Sequence, residues 1–299
     1  MNWHLIKLQI IELLDRHKRI TAVADELELK QPTVSFHMKN MEKELGIRLF
    51  YAKAGKVHLT EAGQALRHYA VKINALAREA ERVVKEFDER GSGSLAVGAS
   101  YVPGTYVLPA VLSGFSQRYP HLSLTLTIRP APVIQEMLLA HEIDIGVLSA
   151  EPFSWAPLIG ETLCEDELVC IFSPQHRLAG SELLYPEQLQ GVPFILHGQA
   201  SSTRSMTLKW AKDSGIALQT GMEMDSLEAI KKAVLSGESV SFISRAAIMQ
   251  EVERGELLCR PIPQNPYKRY MYVAFNEDRV RSTLFDRFRD YLREGVRML

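Results

Sequence analysis

The 299-residue chain has little of what disulfide-bonded, membrane-spanning or disordered proteins require. It has three cysteines, Cys164, Cys170 and Cys259, too few and odd in number for a disulfide framework. No run approaches the roughly 18 apolar residues of a membrane span, and no membrane partner is expected. The opening Met1-Asn2-Trp3-His4-Leu5-Ile6-Lys7 lacks the basic, then apolar, then small-residue order of a signal peptide. The expected location is therefore the cytoplasm. Charge of one sign is lacking too: 35 Lys and Arg stand against 36 Asp and Glu, a balance that on its face argues against a nucleic-acid partner.

What is present is an ordinary globular composition, 46% hydrophobic and 24% charged, in a length sufficient for two or three domains. The charge is unevenly placed. Residues 1–90 carry 16 Lys and Arg against 13 Asp and Glu, with five of the nine histidines; the remainder carries 19 against 23. That asymmetry points to a basic binding module on an acidic body.

Leu5, Leu8, Ile11 and Leu14, widened by Ile10 and Leu13, give a first helix its apolar face. Residues 20–27 make a second helix and 28–31 a tight turn. Pro32 opens a third helix, where its missing N–H costs nothing, and Gly46 ends it. Residues 49–59 alternate around Gly55 and read as a hairpin, or wing. Thr60-Glu61-Ala62-Gly63 starts a long helix. Along it, Leu59, Ala62, Leu66, Tyr69, Ile73, Leu76, Ala80, Val83 and Phe87 form a heptad seam. Such a seam fits a partner helix, hence a dimer; the alternative is an amphipathic face on its own body.

Gly91-Ser92-Gly93-Ser94 reads as a hinge. Beyond it the pattern alternates between strands (95–99, 122–128, 143–148) and helices (106–119, 132–141). The order repeats with strands 194–196, 222–224 and 239–243 and helices 205–213 and 227–236. Two lobes of one architecture account for the repeat. A late strand, 270–275, and a terminal helix, 280–298, return to the first lobe.

Ile20-Thr21-Ala22-Val23-Ala24-Asp25-Glu26-Leu27, then Gln31-Pro32-Thr33-Val34-Ser35, Leu45-Gly46-Ile47-Arg48-Leu49-Phe50 and Leu59-Thr60-Glu61-Ala62-Gly63 together resemble the LysR-type transcriptional regulators, in order and in spacing. The resemblance covers essentially the whole chain. It implies an α/β architecture: a winged helix-turn-helix over 1–60 (motif about 20–39), a linker helix over 61–90 that pairs subunits, and an effector domain over 91–299 shaped like the periplasmic binding proteins. Lobe I would span about 91–164 and 269–299, and lobe II about 165–268. Two departures stand out. Lys30 occupies the usual serine position before Gln-Pro, and lysine cannot cap a helix as serine does. Ala52 replaces the arginine that the family usually has two residues after Leu-Phe, with Lys53 and Lys56 nearby.

In a helix-turn-helix the second helix enters the major groove with its N-terminal residues against base edges. Gln31, Pro32, Thr33, Ser35, Phe36, His37, Lys39 and Asn40 lie at that end or along the exposed face. Gln31 suits adenine, Thr33 a thymine methyl, and Ser35 a phosphate or a base. Val34, Met38 and Met41 read as core, and Phe36 either touches bases or packs. His37 and Lys39 fit phosphates or a solvated basic face. Lys53, Lys56 and His58 of the wing would reach the adjacent groove or phosphates.

Each lobe has a strand running into a hydroxyl-rich turn and then a helix: residues 98–105 and 197–204. Open α/β sheets bind ligands beyond the carboxyl ends of their strands, and helix N-termini favour anions there. Ser100, Tyr101, Ser201, Ser202 and Thr203 would contact an effector, with Ser149 bordering the same cleft and Arg204 binding a carboxylate or sulfate. The competing reading is ordinary helix capping. His141-Glu142-Ile143-Asp144 reads as capping rather than metal binding, and Cys164 and Cys170, flanking a strand-like segment without zinc spacing, as buried apolar residues or a redox-sensing thiol.

No nucleophile set, metal spacing or phosphate loop supports an enzyme, and no cofactor or metal is expected. A binding or transport protein is disfavoured by the helix-turn-helix. The expected function is a regulator that binds double-stranded promoter DNA as a homodimer or homotetramer and responds to a small anionic or amino-acid-like metabolite.

Overall fold

The computed structural model describes residues 4–85, 93–152 and 156–297. Phe87, Gly91, Ser92 and Met298 of the sequence expectations lie outside the described residues. The chain divides into two compact units, Met1–Val84 with Ala140–Glu142, and Lys85–Leu139 with Ile143–Leu299.

The first unit begins with α1 (Leu5–His17), α2 (Ile20–Glu26) and α3 (Gln31–Leu45). Leu8, Ile10, Ile11, Leu13 and Leu14 of α1 enclose a core with Val23, Val34, Met38 and Met41. Leu5, expected on that face, is exposed because it opens the helix. The third helix starts one residue earlier than expected, placing Pro32 second in its first turn, and closes at Gly46 with φ +68°. The wing is β1 (Phe50–Lys53) paired antiparallel with β2 (Lys56–Leu59), turning through Ala54 and Gly55, both left-handed.

Next, α4 (Glu61–Lys85) is capped by Thr60, whose Oγ1 accepts the Gly63 N–H at 3.1 Å. Gly63 admits a close approach: a Cβ there would lie 2.2 Å from the Leu49 carbonyl oxygen. One face of α4 buries Ala70 and Asn74, and Asn74 donates to Glu12 at 2.8 Å. The expected continuous seam is split. Leu59 lies in β2 and packs with Ala62 and Leu66 into the helix-turn-helix core, while Tyr69, Ile73, Leu76 and Ala80 remain exposed.

The second unit opens with β3 (Ser94–Ala99), α5 (Leu108–Arg118), β4 (Ser123–Ile128), α6 (Ala131–Leu139), β5 (Ile145–Ala150) and β6 (Leu158–Glu165). Helical backbone starts at Tyr101, not 106, and passes through a π-helical stretch, Pro103–Val107, into α5. The second lobe contains β7 (Leu168–Phe172), β8 (Pro193–His197), α7 (Ser202–Asp213), β9 (Gln219–Met224), α8 (Leu227–Leu235), β10 (Ser241–Ser244), α9 (Met249–Glu253) and β11 (Leu258–Pro261). The chain then returns through β12 (Tyr270–Asn276) and α10 (Thr283–Arg297).

The first lobe's sheet has the order β4-β3-β5-β12-β6; β3 is parallel to β4 and β5, and β12 is antiparallel to β5 and β6. Every residue of β5 is buried, as expected for a strand covered on both faces. The terminal helix packs back on this lobe through Phe285, Phe288 and Leu292. In the second lobe, β8 pairs parallel with β9, and β7 lies between β10 and β11.

Several local expectations are corrected. Cys164 and Cys170 do not flank one strand; they lie within two successive strands, β6 and β7. Burial pushes both thiols above their ordinary value, which disfavours the thiolate, the reactive form of cysteine. Asp144 does not cap a helix: its fully buried carboxylate accepts the Ala96 N–H at 2.6 Å and pairs with Arg279 at 2.7 Å. A buried carboxylate needs such full pairing. His141 takes a left-handed turn conformation, and its Nδ1 lies 2.6 Å from Glu79.

Candidate DNA-facing helix and ligand cleft

Nothing caps the start of α3 with a side chain; Lys30 has extended backbone there and is exposed. Gln31, Pro32, Phe36 and Lys39 are exposed, and Thr33, Ser35, His37 and Asn40 are half-buried on the same helix. Val34, Met38 and Met41 face the core, as their spacing predicted. Lys53 and Lys56 occupy opposite positions of the wing beside its turn, both exposed. One helix and one hairpin thus present hydroxyls, an amide and three lysines on one exposed surface; Pro32 has no N–H, and the Thr33 and Val34 N–H groups are already taken by the Lys30 carbonyl at 2.9 and 3.3 Å.

The second unit contains a cleft of about 270 Å³ between its lobes. Ser100, Tyr101, Ser149, Ser201, Ser202 and Thr203 all line it, brought together from three separate chain segments. Ser100 follows β3 and sits at the start of the helical path; its Oγ accepts the Ser149 N–H at 3.0 Å. The Ser149 hydroxyl is buried and has no hydrogen-bond partner. Across the cleft, α7 begins at Ser202, so Thr203 and Arg204 lie in a helical turn rather than in the loop expected. Ser201, at the cap position, makes no side-chain capping bond. That disposes of the ordinary capping reading for this residue and leaves the first turn of α7, whose Ser202 and Thr203 line the cleft, without a side-chain cap.

Arg204 is corrected. It does not line the cleft, because its guanidinium is engaged by the His197 carbonyl at 2.8 Å and the Glu223 carboxylate at 2.6 Å. The arginine that lines it is Arg269, at 2% exposure. Its Nη1 donates to Thr203 Oγ1 at 2.8 Å, its Nη2 lies 2.9 Å from Asp166, and its Nε has no hydrogen-bond partner. Asp166 in turn accepts from the Ser244 hydroxyl at 2.5 Å. This buried chain spans both crossings between the lobes, since Asp166 lies between β6 and β7 and Arg269 precedes β12.

His197 also lines the cleft. Its Nε2–H donates to the Phe242 carbonyl at 2.8 Å, and burial lowers its pKa to about 4, so the ring is neutral near pH 7. Asp225 supplies an exposed carboxylate at the wall. Sequence reasoning missed Arg269 and Asp225. Neither stands in a motif, and no short-range pattern marks an arginine that reaches the cleft wall only by meeting residue 203. Among the described residues no group of three or more His, Cys, Asp or Glu could hold a metal, and no helix is long and apolar enough to cross a membrane.

A winged helix-turn-helix with a free recognition face, joined in one chain to a two-lobed α/β unit with a polar cleft, defines a DNA-binding protein that carries its own ligand-binding module. Residues 5–64 match the bacterial regulatory helix-turn-helix family of LysR type, and residues 88–297 match the LysR substrate binding domain. The chain belongs to the LysR family of DNA-binding transcriptional regulators. It is 33% identical to a probable RuBisCO transcriptional regulator of Synechocystis over 93% of this chain and 82% of that one. Full-length OxyR of Pseudomonas aeruginosa has the same fold, with TM-score 0.73, 22% identity, and coverage of 100% of this chain and 96% of that chain. The CcmR regulatory domain of Synechocystis, solved in complex with 2-PG, aligns with TM-score 0.62 and 26% identity over 68% of this chain and 97% of its own.

Proposed function

We propose that this regulator binds promoter DNA through α3 and the wing, and that a small anion in the interlobe cleft changes that binding. The carrying observation is the cleft's donor set: the buried Arg269 guanidinium, the unpartnered Ser149 hydroxyl and the start of α7 converge on one space of about 270 Å³. Buried donors without acceptors are costly, and an anion relieves that cost. Asp225 adds a place for an ammonium or hydroxyl, which keeps a zwitterion within the class. Gln31, Thr33 and Ser35 read bases, and Lys39, Lys53 and Lys56 meet phosphates. The protein acts in the cytoplasm as a regulator, not an enzyme.

The exposed Tyr69, Ile73, Leu76 and Ala80 on α4 form the seam of a homodimer. Ile73→Asp with Leu76→Asp dissociates it, read as a halved mass by light scattering; Leu66 is unsuited to this test because it packs within its own unit.

The relatives' names make RuBisCO operon control the first target to test, and 2-PG the first probe. Titration calorimetry with 2-PG, alongside a gel-shift assay on DNA flanking the gene, tests the reading. Wild type binds saturably; Ser100→Ala and Thr203→Ala weaken 2-PG binding by about 2- to 10-fold, one hydrogen bond each, while ligand-free DNA binding is unchanged. A neutral apolar inducer acting equally on wild type and both variants overturns it.

A further inference from the structure

The recognition helix carries one side chain that the hydrogen-bonding account above leaves unused. Phe36 is 60% exposed, whereas every other described phenylalanine is at least nine-tenths buried. At about 100° per residue, the buried stripe Val34, Met38, Met41 and Leu45 lies almost diametrically opposite Phe36. Pro32, Lys39, Asn40 and Lys43 surround it on the outward face. The ring takes no part in the unit's core; among the described residues its one aromatic neighbour is His37, edge-on at 5.9 Å between centroids. It therefore occupies the centre of the face turned away from its own unit's core, with Lys39 and Lys43 beside it.

A phenyl ring has no donor or acceptor for the hydrogen-bond code of the major groove. The apolar feature that the groove offers is the C5-methyl of thymine. We propose that Phe36 reads a thymine C5-methyl, one in each half-site, and so sets sequence preference at a position that no polar side chain specifies. This rests on the reading of α3 as the DNA-facing helix. Burying one methyl is worth about fourfold in affinity, enough to fix a base preference and too little to carry binding, which the lysines supply.

The test begins by selecting binding sites for the full-length protein from random duplexes. Each thymine of the selected site is then replaced singly by deoxyuridine, which removes only the methyl. Wild type is expected to lose about fourfold at one position per half-site, Phe36→Ala to be indifferent there, and Phe36→Leu to keep part of the discrimination. Replacing that T·A pair by C·G and then by 5-methylcytosine·G separates the methyl from the base pair: the methyl restores affinity to wild type but not to Phe36→Ala. Indifference of wild type to every deoxyuridine substitution overturns the proposal, and this arm needs no variant to fold. An undiminished deoxyuridine penalty in Phe36→Ala also overturns it, because another residue then reads the methyl. If wild type enriches no sequence at all, the DNA-facing reading of α3 fails first, and visibly so.

Discussion

Gln31, Phe36 and Lys39 come from one helix, and Lys53 and Lys56 from the hairpin that follows it, so the proposed DNA-facing surface uses a single short stretch of chain. Ser100, Ser149, Thr203 and Arg269 are drawn from four stretches that meet only when two lobes and their crossings are in place. The first surface depends on which face of a helix is apolar, a local property. The second depends on long-range pairing: Ser149 on Ser100, Thr203 on Arg269, and Arg269 on Asp166. A dispersed site is easier to disturb from a distance, which suits a receptor that must change state. Only a ligand that favours one arrangement over the other can shift the equilibrium.

The sharpest way to break this contrast is Asp166→Ala. It strands the buried Arg269 charge and should destabilise the ligand unit by about 3–5 kcal/mol, measured by denaturant unfolding of the full chain. Duplex binding should survive at temperatures where the unit remains folded. Equal loss of both functions would show that the two regions are not separable.

His197 gives the next largest effect. Its folded pKa of about 4 lies below the ordinary 6.5, so the unfolded chain takes up the extra proton as pH falls. The stabilisation is therefore complete above about pH 6.5 and lost progressively toward pH 4, amounting to about 3 kcal/mol at the acid end. His197→Gln should flatten that part of the stability-against-pH curve; an unchanged slope assigns the acid lability to other groups.

In the DNA unit, Gly63→Ala forces a Cβ against the Leu49 carbonyl. It should cost about 1–3 kcal/mol through overpacking, weakening duplex binding on warming while leaving 2-PG titration unaltered. Coupled losses would again join the two regions. The smallest effect distinguishes ligand binding from stability within the cleft. Ser149→Ala removes a buried hydroxyl that has no partner and should stabilise the ligand-free protein by about 1 kcal/mol while weakening anion binding. Loss of stability would mean that this hydroxyl is bonded in solution.

Periodicity and turn chemistry were enough for the helix-turn-helix, the wing and the strand–helix alternation, because a 3.6-residue or two-residue repeat and a glycine stop are decided within one element. Val34, Met38 and Met41 could be placed in the core from spacing alone. The hydroxyl-rich turns at Ser100 and 201–203 were legible for the same reason, as helix starts beyond strand ends. Tertiary packing alone decided the rest. Arg204 and Arg269 are indistinguishable as residue types; one is claimed by His197 and Glu223 outside the cleft, while the other is buried against Thr203 and Asp166. The heptad seam was one continuous pattern in the chain, yet its first third is consumed by the helix-turn-helix core, Val83 is buried, and among its described residues Tyr69, Ile73, Leu76 and Ala80 are left open. Which arginine carries the free donor, and which part of an apolar stripe remains for a partner, follow from contacts between residues far apart in the chain, and no local repeat encodes those.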